Sequence, residues 1–489
     1  MTAASPTPAT GAAPAALGDR SAAGPAALVG LLAAAVYAVG LSRPSPWRDE
    51  VATIDAARRP AAGILALTSH VDAVHAAYYL LVRGVADLDP GPVRVLDGRW
   101  ISLVGFAVAA AGTVLLGRRT DRARTGLFAG LFLAGSPLAS RYAGEARPFA
   151  LATAVAVVST LALLAAVRRP GRGRWALYAV TLVALGAVEV LALSLLVAHA
   201  CWVLVAPGPA GARSRTWRWL AAVGAAVALL SPLLAVVLGQ RGQIGALGTP
   251  TPRDLAAYAA RAAGSVAGSV VLAAAGAAFL VLGWRQRRAT QRTIRSGRTV
   301  STGWLPVVVW GVGLPVLIWV VSQVDPLFRD RYVLFTLPGL ALLAGGVLAR
   351  LPVPVAAVTL AAVVVAGLPT QVAIRQAGGH GEDIRALDTA VAALRRPGDA
   401  VVFVPRSTAR VAQLDPPVWA GTANLTDHPA LIGSAARPTS RVLLVQRVSG
   451  ADSGPSATDS AAVRAVERSR RPTDRVAVTG FVVTVYTAR

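Results

Sequence analysis

Apolar runs of about 17–20 residues recur along the first three quarters of this chain, the length an α-helix needs to cross a hydrocarbon core. They fall near 26–42, 100–117, 125–140, 149–167, 175–188, 190–206, 219–238, 265–283, 304–321, 333–349 and 354–370. The pattern predicts an all-α polytopic membrane protein of about eleven transmembrane helices. Ala, Leu, Val and Gly dominate the runs, a composition suited to close helix packing in lipid. Between the first two runs lies a long polar loop, 43–99, with two half-apolar stretches, 51–68 and 73–86. These read as amphipathic helices lying along the interface.

The pattern changes after Thr370. Residues 371–489 are polar and hold ten of the chain's twenty-four acids. Short β-like runs stand out at Ala400–Val404, Arg441–Val448 and Val476–Tyr486. The expectation is three parts: a disordered cytoplasmic tail over 1–25, a transmembrane domain over 26–370, and a small extracytoplasmic α/β domain over 371–489. The run after residue 25 has no basic segment ahead of it and no clear cleavage site, so it reads as an uncleaved first span.

Composition agrees: 55% of the 489 residues are hydrophobic, and mean hydropathy is +0.57. The formal charge of +24 suggests nucleic acid at first sight. Its distribution argues against that partner, because much of the excess sits in short loops between apolar runs. Loops 118–124, 168–174, 207–218 and 284–303 are rich in Arg, and the chain has no Lys. With two spans in 175–206, all four loops share one side, which the positive-inside rule makes the cytoplasm. The N-terminus is then cytoplasmic and 371–489 lies outside. Most acids of the membrane portion fall in the opposite, outer loops, which suggests an acidic site there. Cys201 is the single cysteine, so no disulfide within the chain can form.

Four outer clusters carry candidate chemistry. Trp47-Arg48-Asp49-Glu50 follows the first span; a carboxylate there can take a proton from a hydroxyl or simply stop the helix from sliding inward. His70-Val71-Asp72-Ala73-Val74-His75 runs on to Tyr78 and Tyr79. Asp72 and His75 share a helical face, as a metal pair, a base with its orienting partner, or a structural hydrogen bond. Arg141-Tyr142-Ala143-Gly144-Glu145-Ala146-Arg147-Pro148-Phe149 turns between two spans, where an Arg could grip a phosphate or anchor at the interface. Asp325-Pro326-Leu327-Phe328-Arg329-Asp330-Arg331-Tyr332 places two Arg at an outer face, against the positive-inside bias. Glu189 lies within the apolar region.

In this order the clusters resemble the integral-membrane C-type glycosyltransferases, especially the bacterial branch related to protein O-mannosyltransferases and aminoarabinose transferases. The resemblance rests on Asp49-Glu50, on the D-x-x-H-x-x-Y-Y stretch from Asp72 to Tyr79, and on the R-Y-A-x-E-A-R-x-F turn from Arg141 to Phe149. Arg331-Tyr332 ahead of Leu337-Pro338 also fits, and the match spans about residues 40–350. It implies a glycosyltransferase that uses a polyprenyl-phosphate sugar, with mannose the first expectation, and an acceptor hydroxyl on the outer face. Asp49, seconded by Glu50, would serve the acceptor. Arg147 and Arg331 would bind the carrier phosphate. Asp72, His75 and Glu189 would support the site or hold a divalent metal cation, which some relatives use. Tyr78, Tyr79, Tyr142, Glu145, Arg329 and Tyr332 complete the candidate set. Two rival classes remain: a lipid or solute transporter or flippase, and a non-catalytic scaffold displaying the C-terminal domain.

Overall fold

The computed structural model describes residues 17–488 apart from 90, 206–210, 245–247, 267, 271–303, 429–430, 432–440 and 449–456. Helices occupy the expected apolar runs: α1 (Leu17–Ala38), α5 (Val95–Thr120), α6 (Ala123–Gly135), α7 (Pro137–Ala143), α8 (Phe149–Arg168), α9 (Arg172–Val188), α10 (Leu196–Val205), α11 (Ala212–Gln240), then α13 (Leu305–Val321), α14 (Leu337–Leu348) and α15 (Val353–Ala373). Four of them, α5, α8, α11 and α15, are long and apolar enough to cross a membrane; the apolar part of α1, Ala23–Ala38, and the apolar stretches Ala123–Gly135, Val190–Val205, Leu305–Val321 and Leu334–Leu348 are shorter. The run expected at 265–283 and the Arg-rich loop at 284–303 lie largely outside the described residues.

Two breaks have local causes. The third run is two helices, because Pro137 cannot donate to the preceding turn. Ser136 between them caps α7 through the Ala139 N–H and donates to Ala262 O at 2.7 Å. The 175–206 stretch is divided at Glu189, whose backbone is extended (φ −155°, ψ 102°) and is followed by a 3-10 turn, Val190–Leu195. The stretch is thus two helical segments, α9 and Val190–Val205. Small residues allow close crossings: a Cβ added to Gly117 would lie 2.5 Å from Gly126 Cα, so α5 and α6 meet backbone to backbone. On α11 and α15, Leu229, Leu238, Val358 and Val365 remain exposed, as lipid-facing side chains should.

The 43–99 loop folds as α2 (Arg48–Ala57), α3 (Ala61–Thr68), a 3-10 turn Ala73–His75 and α4 (Ala76–Ala86). Pro60 divides the first of the two stretches expected to be continuous. α12 (Pro252–Ala263) lies ahead of α13.

The C-terminal domain is a five-stranded mixed sheet, order β2-β1-β3-β5-β4, with β1 (Ala400–Val404), β2 (Ala423–Asn424), β3 (Arg441–Arg447), β4 (Arg470–Val478) and β5 (Phe481–Ala488). β1 runs parallel to β2 and β3, and β5 antiparallel to β3 and β4. Strand alternation sends Val401, Phe403, Leu443 and Val445 to one face, under α16 (Ile384–Leu394). It sends Val402, Val442 and Leu444 to the other, against α17 (Ala457–Ser469). One expectation fails here. Val476–Tyr486 is not a single strand but a hairpin turning at Thr479-Gly480, with Gly480 at φ +87°. The charged half of β4, Arg470 to Arg475, sits at the sheet's edge and carried no β-like pattern. The domain packs onto the 43–99 loop. Val51 of α2 joins the cluster under α16, and Arg385 reaches back to Ser42 O and Pro44 O at 3.0 and 2.7 Å.

Candidate active site

The site is built around the first turn of α2. Asp49 and Glu50 are adjacent there and point into different surroundings. Glu50 is fully buried. Its two oxygens accept from Arg99 Nε and Nη2 at 2.8 and 2.7 Å, and Oε1 also accepts from the Ala146 N–H at 2.8 Å. His380 Nδ1 lies 3.8 Å from Oε2. Burial pushes the Glu50 carboxyl up, but the Arg99 charge and hydrogen bonds outweigh it and hold the group down at about 2. Arg99 spends its remaining donors on Leu41 O and Pro44 O. Every group in this pair is engaged by protein, so Glu50 braces the loop against the 145–147 turn and has no oxygen left for an acceptor hydroxyl.

Asp49 keeps part of its side chain open, 22% exposed. Its Oδ2 lies 3.6 Å from Arg331 Nη1 and its Oδ1 3.9 Å from Arg48 Nε. Arg331 is sandwiched by aromatic rings, with its guanidinium 5.9 Å from the Trp47 ring centroid and 5.2 Å from that of Tyr332. Arg147 comes in from the third cluster and is buried. It donates to Asp49 O at 3.3 Å, to Thr53 Oγ1 at 3.2 Å and to His75 Nε2 at 2.6 Å. Burial lowers the Arg147 pKa, but Tyr79, Asp49 and Asp72 outweigh it and raise the value.

His75 is held well below its ordinary pKa by burial and by the charges of Arg147 and Arg331. It is therefore neutral. Since Nε2 accepts from a permanent cation, the ring proton belongs on Nδ1, which has no hydrogen-bond partner. Arg147 Nε is likewise buried without one. Two neighbouring residues thus each keep an unused donor, and buried donors are rarely left unused without reason.

The remaining candidates divide clearly. Asp72 sits in the left-handed region (φ 57°, ψ 31°), the one non-glycine residue among the described residues to do so. Tyr79 donates to its Oδ2 at 3.4 Å. Gln240 at the end of α11 clamps the same loop, accepting from Ala73 N–H and donating to Thr68 O, both at 2.9 Å. Tyr78 is buried and donates to Gly98 O at 3.0 Å. Phe149 gathers His75, Tyr142 and Tyr332 around its ring, with centroids 6.3, 6.2 and 5.8 Å away. Glu145 is paired with Arg141 at 3.2 Å and fully buried. Glu189 is buried, accepts from Leu191 N–H at 3.3 Å and feels the charges of Arg147 and Arg331. Arg329 acts elsewhere; its charge is felt at Asp254 on α12. Asp330 beside it pairs with Arg261 at 2.7 Å. A divalent cation finds no ready donor set, for among the described residues no three His, Cys, Asp or Glu side chains come together. His75 Nε2 is already taken by Arg147.

No family model matches the chain, and no curated protein does. Two solved structures are similar over nearly its whole length. ArnT from Cupriavidus metallidurans bound to undecaprenyl phosphate superposes with a TM-score of 0.58 at 13% identity, covering 96% of this chain and 98% of that one. The same protein in its apo state gives 0.57 at 13%, covering 94% and 97%. The chain has the ArnT fold. The fold expected from the loop motifs is thus met, over nearly the whole chain.

Four residues that hold this site escaped sequence reading. Thr53 is an unremarked Thr within α2. Arg99 is the last residue of the 43–99 loop, where its only signal was a cation at the mouth of a span, a costly place unless paired. Gln240 and Glu382 lie far off in sequence, and nothing local marks them.

Proposed function

We propose that this chain is a membrane glycosyltransferase that moves a sugar from a polyprenyl-phosphate carrier to an acceptor hydroxyl on the outer face of the membrane. The observation that carries the reading is the pairing of a half-open carboxylate, Asp49, with two cations of fixed position, Arg147 and Arg331, at the end of the first span. ArnT, with the same fold, is known bound to undecaprenyl phosphate, which supports a lipid-linked phosphate as the donor here. The multi-pass orientation follows from the Arg loops, with the N-terminus cytoplasmic and the C-terminal domain outside.

In this mechanism Asp49 takes the proton of the acceptor hydroxyl as its oxygen attacks the anomeric carbon. The bond from that carbon to the phosphate oxygen breaks, and the electron pair leaves with the phosphate. Arg147 and Arg331 stabilise the charge that builds on the leaving oxygens, through charge-assisted hydrogen bonds in a site shielded from water. His75, neutral and protonated on Nδ1, offers one more donor and keeps Arg147 in place. Tyr332, half-buried and packed on the buried Phe149, offers an aromatic face for the sugar ring. The test is transfer by the purified chain from polyprenyl-phosphate sugars, mannosyl and aminopentosyl carriers first, with release of polyprenyl phosphate. No transfer and no release from any carrier would overturn the reading.

A further inference from the structure

We infer that Glu382, in the C-terminal domain, is a positioning residue for Asp49: it supplies the N-terminal cap that the first turn of α2 lacks in its own sequence, and this inference rests on the reading of Asp49 as the base. A helix start leaves backbone N–H groups without partners, and a Ser, Thr, Asp or Asn at the N-cap normally serves one of them. Here the N-cap residue is Trp47, whose side chain accepts nothing. Glu382, 334 positions later, accepts from the Arg48 N–H through Oε2 at 3.0 Å. A carboxylate at that place also suits the positive end of the helix.

The cap is itself braced by the sheet. Arg447 at the end of β3 and Arg48 both lie 3.7 Å from Glu382 Oε1. The neighbouring Asp383 N–H donates to Thr479 O at 2.9 Å, tying the segment to the β4–β5 turn. Gly480 in that turn is pressed so close that an added Cβ would meet Gly381 O at 2.8 Å, Glu382 Cα at 2.9 Å and Glu382 Cγ at 3.0 Å. A line of contacts therefore runs from the hairpin turn through Glu382 to the residue next to Asp49. On this account the C-terminal domain fixes where the base sits, and a shift of α2 by a fraction of an ångström lowers the rate without weakening donor binding.

The experiment uses the full-length protein in detergent or nanodiscs and compares wild type with Glu382→Ala, Glu382→Gln, Gly480→Ala and Gly398→Ala. Gly398 has φ +86° in the same domain but open space around its Cβ, so it matches the backbone strain without touching Glu382. The expected result is a fall in kcat of about tenfold or more for Glu382→Ala and Gly480→Ala, with the donor KM near wild type. Glu382→Gln, which keeps an acceptor for the Arg48 N–H, falls less, and Gly398→Ala keeps wild-type turnover. Amide exchange over residues 46–57 rises in Glu382→Ala and Gly480→Ala alone, a readout independent of transfer. Wild-type kcat and unchanged exchange in Glu382→Ala would overturn the inference. Should Glu382→Ala fail to fold, equal behaviour of the two glycine variants would overturn it. A wild-type protein that transfers no sugar, with exchange still rising in the variants, overturns the glycosyltransferase reading and leaves the cap standing.

Discussion

Asp49 and Glu50 are neighbours on one helical turn, yet they live in different physical regimes. Glu50 faces inward and is consumed by Arg99, the Ala146 N–H and His380. Asp49 faces a half-open space with its nearest cation at 3.6 Å, a contact loose enough for another molecule to enter. The lesson concerns what a carboxylate can do. One with every oxygen engaged holds structure together, whereas one with an accessible oxygen beside fixed cations can accept a proton. An acidic pair in sequence says nothing about which member is which; the angle of 100° between consecutive side chains on a helix decides it.

The contrast can be broken first at Glu50. Glu50→Ala leaves Arg99 buried without its partner, and removing one member of a buried pair typically costs about 3–5 kcal/mol. The expected outcome is a large loss of thermal stability and of folded yield, read by unfolding of the purified protein. A variant as stable as wild type would make the two carboxylates equivalent and undo the comparison.

A smaller effect is expected on the open side. Arg331→Ala should lower donor use by about ten- to a hundredfold, the 1.5–3 kcal/mol usual for losing a charge-assisted contact. Its stability should change little, because the side chain rests on ring faces. Arg119→Ala, at the far end of α5, should leave donor use unaltered. Equal kcat/KM in both variants would remove Arg331 from the phosphate site.

The two kinds of buried carboxylate also separate in pH. Glu50 titrates near 2 in the folded protein against an ordinary 4.5, so its share of stability is complete above pH 4.5 and is lost as pH falls from there through 2. Asp388 on α16 behaves oppositely. Burial lifts it from 3.8 to about 7, against the pull of the Trp419 indole N–H at 3.1 Å. The folded state then holds the proton more tightly than the unfolded one, and stability falls as pH rises from about 4 through 7. Asp388→Asn keeps an acceptor for Trp419 and should flatten that upper slope while leaving the acid limb unchanged. An unaltered slope in the variant would show that Asp388 is not its source.

Much of the membrane portion was legible because lipid imposes a coarse rule on sequence, and long apolar runs are hard to mistake. The helices α8 and α15 lie within a few residues of the expected runs. Breaks were harder to see. The stop at Ser136-Pro137 was hidden by the apolar residues around it, although Pro after Ser is a local start signal. In the C-terminal domain β1 was plain, because all five of its residues are apolar and buried. β4 was not, since an edge strand needs no apolar face and this one is charged over half its length. At the site, a shared motif did not give the pairing: Asp72 and His75, expected on one helical face, take different partners, Tyr79 and Arg147, because Asp72 sits in the left-handed region ahead of the turn. Pairings across the fold could not be read either. Arg147 with His75 spans 72 positions and Glu382 with Arg48 spans 334, and only the folded chain brings them within reach.

The most direct measurement is single-turnover transfer by wild type and Asp49→Asn from the same polyprenyl-phosphate sugar, with thermal unfolding run in parallel. The substitution keeps the size and the polar oxygen but removes the proton acceptor. The account predicts a loss on the order of a hundredfold in the transfer step, with unfolding and donor binding at wild-type levels. Transfer within a few-fold of wild type by a fully folded Asp49→Asn protein would contradict it and take the base away from α2.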